Sequence, residues 1–356
     1  MATTTKQKRI LVAPLNWGLG HAARCIPVIK ALIDYNFEPV LASDGAALHL
    51  LKLEFAQLTA LELPSYKISY PENGSDFKMA MLLQAPNIAK AIRMEKKTVA
   101  KLIAEHEIDG IISDNRPGVY SKKVPSIFMT HQVNVLSGST SWISSAMQRL
   151  IIRKFDTCWI PDAKGKINLS GKLGHPKKLP AKTEYVGNLS RLQPISTDQK
   201  YDLLILLSGP EPQRSMLQKL LENQIGEFNG QVLFVKGLVE ENQLVEKTKN
   251  VTYYNFMDSQ QLSRAISESK LVLCRSGYST IMDLSQMQKK AFFIPTPGQF
   301  EQEYLAKRCK KKGFAPYSKQ ERFTIAKLAK AELYPGLPIL EEETDWPHLF
   351  RHFKGE

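Results

Sequence analysis

The chain has 356 residues, 43% hydrophobic and 23% charged, and 48 Lys and Arg against 35 Asp and Glu give a formal net charge of +13. That length suits two domains better than one core, and the composition excludes a disordered or fibrous chain. The positive excess can attract nucleic acid, an anionic membrane surface or phosphorylated substrates, or can serve solubility alone. The basic clusters Lys122-Lys123, Lys177-Lys178 and Lys310-Lys311-Lys312 come with no nucleic-acid motif, so no nucleic-acid partner is expected.

Residues 1–9 are polar and basic and lead straight into a strand. No leader and no apolar run of membrane-spanning length is visible, which predicts a cytoplasmic protein. Strands are predicted at 9–14, 38–42, 108–113, 126–130 and 157–160. A helix fits 20–35, and a longer one fits 79–105, interrupted near Pro86. The pattern restarts at 201–207, YDLLILL, with further strands at 231–235, 251–254, 270–274 and 291–294. Helices fit between them at 213–222, 259–268, 279–288 and 302–312, with Gly313 as a stop. Strands alternating with helices predict an α/β fold with parallel sheets. The polar, proline-bearing stretch 192–200 reads as the junction. Two Rossmann-like domains facing an interdomain cleft are therefore expected, at 1–195 and 196–330, followed by a C-terminal tail at 331–356. Cys25, Cys158, Cys274 and Cys309 form no CxxC pair. Three of them lie next to apolar or helical patterns and read as small buried hydrophobes, the compartment reads as reducing, and no metal site is expected.

Three segments carry candidate chemistry. The first, Asn16-Trp17-Gly18-Leu19-Gly20-His21, links the first strand to the first helix. Gly18 and Gly20 permit a tight turn, the helix start offers free N–H groups to an anion, and His21 suits a general base. In the second, residues 274–283, a strand ends at Cys274 and a turn containing Ser276 and Gly277 opens a helix. Such a turn presents N–H groups and hydroxyls to phosphate, and Asp283, about a turn inside, suits ribose hydroxyls. The third, residues 294–302, places Glu301 and Gln302 where sugar hydroxyls would lie.

Residues 275–284, RSGYSTIMDL, followed by 294–313, resemble the donor-binding half of family 28 glycosyltransferases. That family includes the lipid I GlcNAc transferase of peptidoglycan synthesis and galactolipid synthases. Residues 16–24 resemble its N-terminal glycine-rich loop, and 130–134, THQVN, its histidine loop. Residues 186–191, VGNLSR, resemble its interdomain segment, and 206–215 its first C-terminal loop. These matches keep the family's order over most of 10–313. They imply the GT-B fold, an acceptor-side N-terminal domain and a nucleotide-sugar-binding C-terminal domain.

The resemblance also implies roles. His21 matches the residue facing the acceptor. Ser208 and Gly209 match a loop near the donor phosphates, and Phe256 and Met257 the stretch that contacts uracil. Arg275, Ser276, Gly277, Ser279 and Thr280 match the phosphate-side turn, Asp283 the ribose carboxylate, Glu301 and Gln302 the sugar pair, and Arg191 a basic residue near the pyrophosphate. His131 and Asn134 are further cleft residues. The sequence departs from the family at Gln132, where the peptidoglycan enzyme carries Glu, at Leu305 for Asn, Leu189 for Pro, and Asp283 for the usual Glu.

The expected activity is transfer of a sugar from a UDP-sugar, UDP-GlcNAc among the candidates, to the hydroxyl of a glycan or lipid-linked acceptor. No cofactor or metal is expected beyond the donor. A non-catalytic UDP-sugar-binding protein and a UDP-sugar epimerase on the same fold are the alternatives. Residues 79–101 and 141–154 mix apolar with basic side chains and suit peripheral docking on an anionic membrane, at its inner face. The rival reading is that both stripes pack on the sheet.

Overall fold

The computed structural model describes residues 6–355; Met1 to Thr5, part of the polar N-terminal stretch, lie outside the described residues. Its first sheet is built from β1 (Arg9–Pro14), β2 (Glu38–Ser43), β3 (Ala60–Glu62), β4 (Ile108–Asp114), β5 (Ser126–Met129), β6 (Thr157–Ile160) and β7 (Thr183–Tyr185). All are parallel, in the order β3-β2-β1-β4-β5-β6-β7. The crossovers include α1 (Gly20–Asp34), α2 (Gly45–Glu54), α3 (Phe77–Glu105) and α4 (Ser141–Ile152). Parallel strands covered on both faces read as continuous apolar runs. Ile10, Leu11, Val12 and Ala13 of β1 are accordingly all fully buried.

The second sheet contains β8 (Tyr201–Leu206), β9 (Val232–Val235), β10 (Val245–Thr248), β11 (Val251–Tyr254), β12 (Ser269–Cys274) and β13 (Lys290–Phe293), ordered β10-β11-β9-β8-β12-β13. Only the β10–β11 pair is antiparallel among its pairings. Its helices are α5 (Gln213–Glu222), α6 (Ser259–Ser267), α7 (Tyr278–Gln286) and α8 (Phe300–Lys311). The Asp258 carboxylate caps α6 by accepting from Gln261 N–H at 2.8 Å. All four cysteines are buried and free.

Strand order fixes the site. In the first sheet the chain reverses direction between β1 and β4, and in the second between β8 and β12. Ligands of open α/β sheets sit beyond the strand ends at such switch points. Here the two face each other: a Cβ added to Gly18, after β1, would lie 3.9 Å from Gly209 Cα, after β8. Gly18 has φ +87°, a conformation that favours glycine.

Two expectations need correction. Helix α3 runs unbroken through Pro86. The proline ring and Leu82, whose carbonyl would have accepted its missing N–H, both lie on an exposed stretch, where water can replace the lost bond. The segment 331–356 does not end as a tail. Its last helix, α9 (Trp346–Lys354), returns to the first domain and buries Leu349, Phe350 and Phe353 beside Ile10, Val12 and Trp159. Phe37 meets Phe350 edge-on at 5.5 Å. Gly110 in β4 makes room, since a Cβ there would lie 2.4 Å from the Phe353 ring. The C-terminal end of the chain thus completes the first domain's core.

Candidate active site between the domains

A cleft of about 560 Å³ lies between the two sheets. The loops after β1, β5, β8 and β12 converge on it, as do the starts of α1, α7 and α8. Unsatisfied N–H groups and the dipole at such helix starts favour an anion. The α1 and α7 starts meet directly, where Ser279 Oγ donates to the Gly20 carbonyl at 2.7 Å.

The floor of the N-terminal side is a buried charge network. Arg24 stands one turn after His21 on α1 and is 1% exposed. Its Nε donates to Asp114 Oδ2 at 2.6 Å, and its Nη2 contacts Asp114 Oδ1. Burial would raise the Asp114 carboxyl, but Arg24 and His21 outweigh it and hold it at about 2. His21 Nδ1 lies 3.1 Å from Asp114 Oδ1 and 2.8 Å from Arg24 Nη2. With its proton on Nδ1 the ring donates to the carboxylate and Nε2 is left as a base. With the proton on Nε2, Nδ1 accepts from Arg24.

The same arginine fixes His131. Arg24 Nη1 lies 2.7 Å from His131 Nδ1 and can only donate, so Nδ1 accepts and the proton sits on Nε2. Nε2 then donates to Glu301 Oε1 at 2.8 Å, across the domain boundary, and Gln132 Nε2 donates to Glu301 Oε2. Burial, with help from Arg24 and His21, holds His131 below its usual value and keeps it neutral, against the pull of Glu301. Glu301 is held below the ordinary carboxyl range: burial opposes this, but His131, His21 and Arg24 prevail. The His131 ring also stacks on Tyr278 at 4.3 Å.

On the C-terminal side, Ser208, Gly209, Phe256, Met257, Gly277, Ser279, Thr280, Asp283, Glu301 and Gln302 line the cleft, facing Gly18, Gly20, His21, His131 and Arg191. Asp283 Oδ1 accepts from Ser190 Oγ at 2.6 Å. Burial raises its carboxyl above the ordinary value in spite of Arg191 and Ser190. Arg191 lies 3.7 Å from Glu54 Oε1, and its Nε and Nη1 find no hydrogen-bond partner among the described residues. Gln302 Oε1 accepts from Thr296 N–H at 2.9 Å, which orients its amide.

Three expected site residues lie elsewhere. Arg275 turns inward and donates to the carbonyls of Ile294 and Pro295 at 3.2 Å and of Gln213 at 2.8 Å. It ties three loops together, and burial alone draws it down to about 9. Ser276 Oγ donates to the Gln302 carbonyl at 2.8 Å, beneath the turn. Asn134 points away, donating to the Lys172 carbonyl at 2.9 Å. Conversely, Arg24, Asp114 and Tyr70 belong to the cleft or its floor and escape the sequence reading. For Arg24 and Asp114 a signal existed. A charged residue one turn after His21 falls on the apolar face of α1, and an aspartate ends β4, where sites of parallel sheets lie.

The model of the glycosyltransferase family 28 C-terminal domain matches residues 214–336. The chain is similar to the UDP-N-acetylglucosamine--N-acetylmuramyl-(pentapeptide) pyrophosphoryl-undecaprenol N-acetylglucosamine transferase of Pasteurella multocida, 25% identical over 350 residues, covering 91% of this chain and 87% of that one. It is also similar to an uncharacterized glycosyltransferase of Methanosarcina acetivorans, 23% identical over 334 residues, covering 86% and 84%. Among solved structures, Acinetobacter baumannii MurG matches with a TM-score of 0.54 at 14% identity, covering 98% of this chain and 100% of that one. The glycosyltransferase SnogD from Streptomyces nogalater matches with a TM-score of 0.61 at 11% identity, covering 92% and 91%. These structural likenesses establish the GT-B fold.

The Arg24–Asp114 pair sets a pH dependence. Asp114 titrates at about 2 in the folded chain against 3.8 ordinarily, so its stabilisation is present above about pH 4 and is lost as pH falls toward 2. Asp114→Asn strands the buried Arg24 and should cost roughly 3–5 kcal/mol at pH 7. Denaturant unfolding should show the gap to wild type narrowing below pH 4. A gap constant with pH would mean the carboxylate is not held by Arg24.

Proposed function

We propose that this protein, a glycosyltransferase whose residues 214–336 belong to the family 28 C-terminal domain, moves a sugar from a UDP-sugar to an acceptor hydroxyl. UDP-GlcNAc is the leading donor candidate, because the Pasteurella multocida relative is named for that donor. The observation that carries the reading is the pairing of His21, held by Asp114, with a nucleotide-type pocket across one cleft.

In this reading the α7 start and Arg191 face the diphosphate. Arg191 suits that place because its Nε and Nη1 lack hydrogen-bond partners among the described residues, with only a 3.7 Å ion pair to Glu54, and a charge-assisted bond to phosphate relieves such a group. The Arg275 side chain, committed to three carbonyls, leaves that role to Arg191. Asp283 receives ribose hydroxyls through its remaining lone pairs, and Phe256 and Met257 flank the base. Glu301 and Gln302 hold the sugar.

In the tautomer that donates from Nδ1 to Asp114, His21 Nε2 takes the acceptor proton as the acceptor oxygen bonds to the anomeric carbon. The bond to the diphosphate oxygen breaks with its electron pair, and UDP leaves. Asp114 stabilises the imidazolium so formed, as a carboxylate behind a catalytic histidine does. The α7 dipole and Arg191 offset the charge growing on UDP.

The acceptor side supports delivery from a membrane. Leu82 and Leu83 of α3 are 63% and 73% exposed, and Trp142 and Met147 of α4 are 72% and 60% exposed. These side chains therefore do not pack on the sheet. Exposed Lys90, Arg93, Lys97, Arg153 and Lys154 fringe them. Both helices border the cleft, through Phe77 and Met81 on one and Ser144 and Gln148 on the other. No helix of the described residues is long and apolar enough to cross a membrane, so contact would be at the surface.

UDP should raise the melting temperature more than ADP or GDP does, and His21→Ala should keep that shift, since His21 faces the acceptor. Equal shifts with all three nucleotides would sink the uracil assignment. In flotation, the protein should rise with phosphatidylglycerol vesicles at low salt and fall away as salt screens the attraction. Indifference to anionic vesicles at low salt would point to a soluble acceptor.

A further inference from the structure

Between β3 and α3 the chain forms a strap that leaves the first domain and lands on the second. Its first half is tied to the first domain. Arg116 Nη2 donates to the Pro64 carbonyl at 2.6 Å, Tyr66 donates to Glu95 at 2.6 Å, and the Ser69 backbone exchanges two hydrogen bonds with Gln84. Its second half is tied to the other domain. Gln213 Nε2, at the start of α5, donates to the carbonyls of Pro71 at 2.9 Å and Glu72 at 2.8 Å. Gly74 then lies flat on the Pro297–Gly298 peptide, where a Cβ would stand 2.6 Å from the Pro297 carbonyl carbon.

Tyr70 is the one residue between the two sets of ties. It lines the cleft, with its ring 5.3 Å from Phe77 and 6.5 Å from Trp17. Its hydroxyl makes no hydrogen bond among the described residues. The phenol is half-buried and lies within electrostatic reach of Glu301, and both effects push its titration upward, burial first. The hydroxyl is left open to the cleft, where a ligand can supply its partner.

We propose that Tyr70 is a specificity-determining residue that hydrogen-bonds the donor's transferred sugar, and that the strap carries it into place when the two domains meet. The proposal rests on the UDP-sugar reading above. It adds a first-domain contact to a subsite otherwise built by Glu301 and Gln302 of the second. Because Pro71 and Glu72 are held by Gln213, placement of the sugar contact depends on domain closure, whereas the nucleotide contacts at Asp283 and Met257 do not.

Calorimetric titration of the full chain with UDP, UDP-GlcNAc, UDP-glucose and UDP-galactose tests this. Tyr70→Phe keeps the ring and removes the hydroxyl. For the nucleotide sugar bound best, the ratio of its affinity to that of UDP should fall about three- to tenfold, with UDP itself unchanged. Gln213→Glu, which turns a carboxylate toward the Pro71 and Glu72 carbonyls, should lower the same ratio without touching the ligand. A wild-type ratio in Tyr70→Phe, or an equal loss of UDP and UDP-sugar affinity, would overturn the proposal. Failure of the wild-type chain to bind any of the four would overturn the underlying reading, and this shows in the wild type alone.

Discussion

Arg24 is fully buried, and the chain accommodates its charge by setting Asp114 on one side of it and a neutral His131 on the other. An uncompensated guanidinium in that position would be strongly destabilising, so the partners are obligatory rather than optional. Their geometry then dictates much of the cleft. Asp114 is in reach of His21 because Arg24 holds it at the end of β4. His131 keeps its proton on Nε2 because Arg24 can only donate to Nδ1. That proton is what reaches Glu301 in the other domain. One arginine therefore connects the base proposed for the acceptor with the carboxylate proposed for the donor sugar.

The rest of the molecule keeps the two sides of this network in register. Helix α9 passes from the second domain back into the core of the first. The Ser190–Asp283 bond ties the crossover segment to α7, and the Ser279–Gly20 bond closes the gap between the two helix starts. Asn16 holds the glycine-rich loop from behind, accepting from Ala47 N–H at 3.3 Å and donating to Asp44 at 3.1 Å. Asp44 in turn is bound to the buried Arg116 at 2.8 Å. The loops of the cleft are thus supported by a second buried arginine, on the opposite side of β1 from the first.

Elements with a continuous apolar run bounded by turn residues were legible in the sequence. Strands β1, β6 and β11 begin and end where the pattern places them, as does α5. Short edge strands were not: β10 is exposed throughout and β7 has only three half-buried residues, so neither shows a hydrophobic signature. Helix α2 and strand β3 were missed as well; neither was read between the strand at 38–42 and the helix at 79–105. Glycine, histidine and acidic residues at strand ends announced the cleft. Sequence could not tell which way a side chain turns, however. Arg275 sits in the middle of a phosphate-type turn and serves three carbonyls instead. Nor could it pair Arg24 with a residue 90 positions away. The return of α9 is a long-range contact of the same kind, hidden in what reads as a tail.

A central claim remains that Asp114 and Glu301, which share no direct hydrogen bond, are coupled through Arg24 and His131. A double-mutant cycle with Asp114→Asn and Glu301→Gln, read as unfolding free energy at pH 7, measures that coupling directly. The network predicts an interaction term of about 1 kcal/mol or more, because each substitution changes the charge environment of the linking pair. Additivity within roughly 0.5 kcal/mol would mean that the two domains hold their carboxylates independently, and would contradict the account.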